Sequence, residues 1–291
     1  MKSIRHIVTN TKMLPELIKI NFKNNGQRLV FNYWKPGYYR ISAQEKSFHP
    51  TDSFLQAAKE FSSEIYKHRS EQPQKNSLLD IIHPGHVSLE TWHDAQQDST
   101  YLSIGAGDPI YFDNISSSCK MIASDSFRED CFGLKRLPDL RVPFFSLDTE
   151  KSRLASLRIL EGIHQNGAYS LLGEVGDNEG KNCATAVYFS LIASGMRTLV
   201  DLGSSNSFSE TFTNLLGTKV FIPETLATLV EQAGDIERKN AGLDAVYCHF
   251  ESESNQEMQA IQKIITTIMQ SNKNALSVTD EQDQKPKTPK P

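Results

Sequence analysis

The sequence predicts an α+β fold with a β-rich N-terminal extension and a disordered C-terminal tail. Three observations predict it. Strand-like runs recur at Gln27–Trp34, Gly37–Ser42, His86–Trp92 and Tyr101–Ile104. Helical patterns dominate the second half, beginning near Asp148, Cys183 and Pro223. From about Ser271 the chain carries three prolines and too few apolar residues to pack.

In chain order, QRLVFNYW (Gln27–Trp34) and GYYRIS (Gly37–Ser42) are rich in aromatic and β-branched residues, and Lys35-Pro36 between them signals a turn. Thr51 and Asp52 are expected to cap a helix with Phe54, Leu55, Ala58, Phe61 and Ile65 at helical spacing. Ser70–Asn76 reads as a polar linker, so the expected units are an extension (1–75), a core (76–270) and the tail (271–291).

Pro84-Gly85 introduce HVSLETW (His86–Trp92), whose residues alternate, and Tyr101–Ile104 pairs with it as a hairpin with a long turn. Residues 113–140 read as an irregular surface excursion, after which Val142–Leu147 returns to the core. Asp148 caps a helix with Leu154, Leu157, Leu160 and Ile163 on one face and Gly167 as its stop. A short apolar connection (Ala168–Leu172) and a polar, Gly-containing loop (Gly173–Lys181) lead to Asn182-Cys183. These open a helix that is apolar nearly all round, and so buried, and that Gly195 closes. Pro223 sits well in the first turn of a further helix.

Composition excludes several function classes. Lys+Arg is 31 and Asp+Glu 35, a net charge of −4, which argues against nucleic-acid binding as the main activity. The longest apolar run, Cys183 to Met196, is short of the roughly 20 residues of a membrane span. The N-terminus lacks the apolar region of a signal peptide. Four cysteines, Cys119, Cys131, Cys183 and Cys248, with no CxxC pair, fit reduced thiols rather than a disulfide framework or a zinc ribbon. His83, His86, His93 and Asp94 lack metal-ligand spacing, so no metal and no cofactor is expected. There is neither a phosphate-binding glycine loop nor a Gly-x-Ser-x-Gly elbow.

Cys183 and His86 carry the chemical reading. A cysteine at the first position of a buried helix meets unpaired N–H groups and the positive end of the helix dipole, and both favour a thiolate. The same amides can stabilise an oxyanion. His86, at the start of a strand after a glycine, is the candidate base. A third polar group must fix its tautomer. Glu90, which shares a strand face with His86, is one candidate, and Asp108 another. A packing role for Cys183 and a surface role for His86 remain the alternatives, and so does proton or nucleotide-dependent transfer on the His86–Glu90 pair.

The order PGHVSL around His86, YLSI from Tyr101, YSLL from Tyr169 and NCATAV around Cys183 resembles circularly permuted papain-fold cysteine hydrolases, the permuted NlpC/P60 and lecithin:retinol acyltransferase-like group. The resemblance spans roughly residues 80–235. It implies a permuted papain-like core, an antiparallel sheet packed on the Cys-bearing helix, with Cys183 as nucleophile, His86 as general base and Ser103 at the third position, where the group often has histidine. It implies a thioester acyl-enzyme and peptidase, amidase, deamidase or acyltransferase activity. Tyr169 would line the cleft, add an oxyanion donor or pack beneath the loop. In composition the chain also resembles secreted bacterial effectors, which implies a protein or peptide substrate, a host protein among them, met in a reducing compartment. A non-catalytic host-protein-binding module on the same fold is the competing expectation.

Overall fold

The computed structural model describes residues 27–41, 46–67, 82–93, 99–106, 119–164, 168–169, 173–174, 182–199 and 220–283. These form an α+β arrangement built around a four-stranded antiparallel sheet. Its strands are β1 (Arg28–Trp34), β5 (His86–Trp92), β6 (Ser99–Leu102) and β9 (Leu140–Phe144), in the order β6-β5-β1-β9. Strand β1 is therefore central, and the expected boundary at residue 75 does not separate it from the sheet that carries His86. Its sequence explains this position. RLVFNYW is buried from Leu29 to Trp34, as a strand covered on both faces must be. Strand β9 holds Pro143, which has no N–H to give a ladder, and it lies at the sheet edge.

Register sorts the sheet into two chemically different faces. Leu29, Phe31 and Tyr33 lie opposite Thr91, Leu89 and Val87, and with Val142 and Phe144 they face the main apolar core. Helix α4 (Cys183–Ala193) and helix α5 (Pro223–Ala241) cover this face, and α3 (Thr149–His164) packs on α4. The other face is polar. Trp34 opposes His86, Asn32 opposes both Ser88 and Arg141, and Glu90 opposes Tyr101. Helix α2 (Phe127–Leu134) and the long helix α6 (Asp244–Asp283) pack against one another over it. A one-residue slip of β5 would exchange these faces, so the register is strongly specified.

Local signals explain the helices. Ser53, rather than Thr51 or Asp52, caps α1 (Phe54–Lys67) through the Gln56 amide, and Glu224 accepts from the Phe54 amide. Helix α1 packs on a small sheet, β3-β2-β4, of Lys46–Pro50, Gly37–Ile41 and Ile82–His83. Asp148 caps α3 as expected. Its buried face is set by Ser152 and Ser156, while Leu154 is exposed. The two serines bond Ser190 of α4 at 2.9 Å each, so small hydroxyls bring these helices close where a leucine stripe was expected. Helix α5 approaches β9 through Gly234, where a Cβ would stand 2.6 Å from Val142. It extends to Ala241 and ends on Gly242 in the left-handed region.

Three further segments differ from expectation. Residues 119–134, expected to be irregular, contain β8 (Cys119–Ala123) and α2. Strand β8 joins β7 (Ile104–Ala106) and β10 (Ala168–Tyr169). Tyr101–Ile104 is not one strand: it divides at Ser103, between β6 and β7. The tail expected to be disordered from Ser271 is helical to Asp283, because no proline or glycine interrupts it before Pro286. Ladder β11–β12 (Gly173–Glu174 with Val220–Phe221) completes the set. The expected linker at Ser70–Asn76, Asp94, Asp108 and Gly167 lie outside the described residues. No described helix is long and apolar enough to cross a membrane.

Candidate active site

Cys183 is the first residue of α4. Asn182, with extended backbone, caps the helix: its side chain accepts from the Thr185 amide at 2.8 Å, and Thr185 Oγ1 accepts from the Asn182 amide at 3.0 Å. This reciprocal box fixes the chain entry on both sides of the sulfur. At the other end Gly195 adopts φ +97, and the Met196 and Gly195 amides close on Leu191 and Ile192.

His86 is placed by the turn before it. Gly85 has φ +87, and a Cβ there would stand 3.0 Å from the Trp34 carbonyl, so only glycine fits without strain. The Gly85 amide donates to His83 Nδ1 at 3.2 Å. Burial, reinforced by the charges of Arg136 and His86, pushes the His83 pKa down to about 3, so this histidine is a neutral acceptor. The Trp34 ring lies 5.3 Å from the His86 ring and is itself fully buried, with its indole N–H donated to the Arg136 carbonyl.

The imidazole joins three elements. Its Nε2 lies 3.1 Å from Asp130 Oδ2 and 3.0 Å from Ser103 Oγ, and Cys183 is a neighbour whose charge and polarity raise the imidazole's pKa. Asp130 belongs to α2, and its side chain is 7% exposed, against 12% for His86. Burial opposes the His86 charge, but Asp130 and Cys183 override it and raise the pKa to about 10. Burial likewise opposes ionisation of Asp130, yet His86, Ser124 and Tyr101 hold its pKa down at about 2. Imidazolium and carboxylate are thus the favoured forms near neutrality.

These shifts have a consequence for stability. The His86 contribution is complete below its ordinary value of 6.5 and is lost as pH rises toward 10. The Asp130 contribution is complete above 3.8 and is lost as pH falls toward 2. The pair therefore stabilises the fold most between about pH 4 and pH 6.5. Thermal denaturation of the wild type should show falling stability from pH 7 to 10. The slope should be shallower in Asp130→Asn; equal slopes would contradict the pair.

Of the residues expected to complete the site, Ser103 reaches His86 and Glu90 does not. Glu90 shares the strand face of His86, as expected, but its carboxylate accepts from Asn32 at 3.0 Å, from Arg141 at 2.7 Å and from Trp92 at 3.2 Å. Tyr169 is buried in the main core. Cys131 is buried beside Asp130, and burial followed by the Asp130 charge pushes its thiol up to about 12; Cys248 is exposed. Asp130 is the residue the sequence reading missed. Its signal was present: Ser126 and Glu129 form an S-x-x-E start, with the Glu129 amide on Ser126 Oγ and the Asp125 amide on Glu129 Oε2. Among the described residues no cluster of three His, Cys, Asp or Glu side chains could hold a metal ion.

Fold and side chains together define an α+β protein with a buried Cys–His–Asp constellation. Comparisons with protein-family models, with curated proteins and with solved structures find no match to the chain.

Proposed function

We propose that the protein is a cysteine-dependent hydrolase or acyltransferase with a permuted papain-like core. The observation that carries the reading is a single imidazole that a buried carboxylate holds by a hydrogen bond and whose charge a neighbouring helix-start cysteine favours. The antiparallel sheet against the Cys-bearing helix, with the histidine strand earlier in the chain, supports the papain-like assignment. Thiolate Cys183 attacks the carbonyl carbon of an amide or ester. The first turn of α4 supplies N–H donors to the oxyanion. As the C–N or C–O bond breaks, the His86 imidazolium gives its proton to the leaving group, and a thioester remains. Water, or an amine or hydroxyl acceptor, then attacks the thioester carbonyl with His86 taking the nucleophile's proton; the C–S bond breaks, and Cys183 leaves as the thiolate. Asp130 acts through His86, holding the tautomer and the charge. The substrate class is a protein or peptide, in keeping with the resemblance to secreted effectors.

One observation favours the second reading, a non-catalytic binding module: Cys183 is only 2% exposed. Limiting iodoacetamide followed by peptide mapping separates the two. A catalytic thiol is alkylated at pH 6–7 before Cys119, Cys131 and Cys248, and His86→Ala abolishes that preference. Alkylation of the exposed Cys248 ahead of Cys183 would overturn the hydrolase reading.

A further inference from the structure

The polar face of the main sheet holds a chain of hydrogen bonds that ends on the candidate active site. Arg141 Nε donates to Asn32 Oδ1 at 2.9 Å. Asn32 Nδ2 lies 3.2 Å from Ser88 Oγ, and Ser88 Oγ lies 2.7 Å from the Tyr101 hydroxyl. The Tyr101 hydroxyl lies 2.5 Å from Asp130 Oδ2. Donor and acceptor capacity fixes the direction of every link. Arginine and the Asn Nδ2 group only donate, and an ionised carboxylate only accepts. Tyr101 has one proton, and it goes to Asp130, so the hydroxyl oxygen accepts from Ser88. Ser88 in turn accepts from Asn32. The donation runs one way, Arg141 to Asn32 to Ser88 to Tyr101 to Asp130, and each bond polarises the next.

We propose that Tyr101 is a positioning residue for the cysteine–histidine pair, holding the Asp130 carboxylate, by its hydroxyl, in the rotamer and charge state that receive His86. The carboxylate sits on the short helix α2, outside the strands of the main sheet. Oδ2 is shared between the phenol and the imidazole. Without the phenol the carboxyl group could turn about its side-chain torsions away from His86. The tyrosine is suited to the task because it stays protonated: burial first, then the Asp130 charge, raises its pKa well above the ordinary value. An alternative donor that ionised or rotated freely would not hold the carboxylate constantly.

The surrounding charges bear on any pH readout. Asp130 faces His86 from β5, Tyr101 from β6, the Ser124 hydroxyl and the Cys131 thiol of its own helix. His86 faces Asp130, Cys183 from α4 and His83 from β4. Farther along the relay stand Glu90, Arg141 and, from α6, Glu257. Of these, only Tyr101 loses a bond to Asp130 on removal of one oxygen from the phenol.

This inference deepens the proposed site and rests on it, so the test is read out on the imidazole rather than on turnover. His86 is titrated by NMR of its ring protons in the full-length wild type and in Tyr101→Phe, which keeps the ring and its packing. The expected result is a His86 pKa lower by about one pH unit in Tyr101→Phe than in the wild type. Ser88→Ala, which removes the donor to the phenol oxygen, is expected to shift it in the same direction by less. That variant also carries the test should Tyr101→Phe fail to fold cooperatively. A folded Tyr101→Phe in which His86 titrates as in the wild type would overturn the proposal, as would a folded Ser88→Ala without any shift where Tyr101→Phe does not fold. An unreactive Cys183 beside a shifted His86 would instead remove the hydrolase reading and leave the positioning role standing.

Discussion

Asp130→Asn is expected to slow acylation of Cys183 by about 10²–10⁴-fold, whereas Ser103→Ala should cost at most about tenfold. The measurement is nitrophenolate release from p-nitrophenyl acetate, with the acyl group located on Cys183 by peptide mapping. The reasoning is electrostatic and geometric at once. Asparagine keeps the size of the side chain but removes the charge that overrides burial at His86. It can also present its amide nitrogen to Nε2, which forces the wrong tautomer and leaves Nδ1 protonated in the neutral ring. Ser103 offers Nε2 a neutral oxygen at 3.0 Å, which can share the N–H but cannot hold an imidazolium in a buried site. Glu90→Gln should leave the acylation chemistry close to the wild type, since Glu90 makes no bond to His86 and keeps its place beside Asn32. If Ser103→Ala or Glu90→Gln proves more damaging than Asp130→Asn, the carboxylate of α2 is not the group that orients the base.

The contrast among these three residues shows what the linear chain carries and what it does not. Cys183 was legible because Asn182, Thr185 and the terminating Gly195 are local signals within one helix. His86 was legible because Pro84-Gly85 must turn and the next seven residues alternate. Ser103 was suggested only by the family resemblance, since the long turn leaves the hairpin register open, and its position between β6 and β7 depends on a change of partner strand that no local pattern marks. Asp130 required two facts that lie far apart in sequence. Helix α2 is only eight residues long, and its cap at Ser126 says that a helix begins but not where it docks. Its docking depends on Phe127 and Cys131 packing against Trp34, and against Ile261 and Ile265 of α6. The central position of β1 was hidden for the same reason. A strand's own sequence reports that both faces are buried, but its neighbours, β5 and β9, come from some fifty to a hundred residues later.

Arg141→Ala is expected to destabilise the fold by about 3–5 kcal/mol, the largest stability effect of any single change on the polar face. Arg141 is 6% exposed and Glu90 7%. Burial opposes the guanidinium charge, and Glu90 and then Glu257 more than compensate, so its pKa is raised. Its Nη1 also bonds Ser254 and Glu257 of α6 at 2.9 and 3.0 Å, and its guanidinium lies 4.3 Å above the Phe127 ring. Removing it strands the Glu90 carboxylate in the interior, with Asn32 and Trp92 as its neutral donors. It also loosens the contact between α6 and the sheet. Most of the loss should therefore come from the orphaned charge rather than from the pair itself, and the double change Arg141→Met with Glu90→Leu should recover the greater part of it. Chemical denaturation of the wild type, the single variant and the double variant checks the ledger. Because Arg141 begins the donor chain that ends on Asp130, the double variant separates stability from chemistry. It is expected to fold nearly as well as the wild type and yet to show a lower His86 pKa, since Asn32 and Ser88 lose the charge that orients them. A double variant that recovers stability and leaves His86 unchanged would confine the relay to the last link, Tyr101 on Asp130.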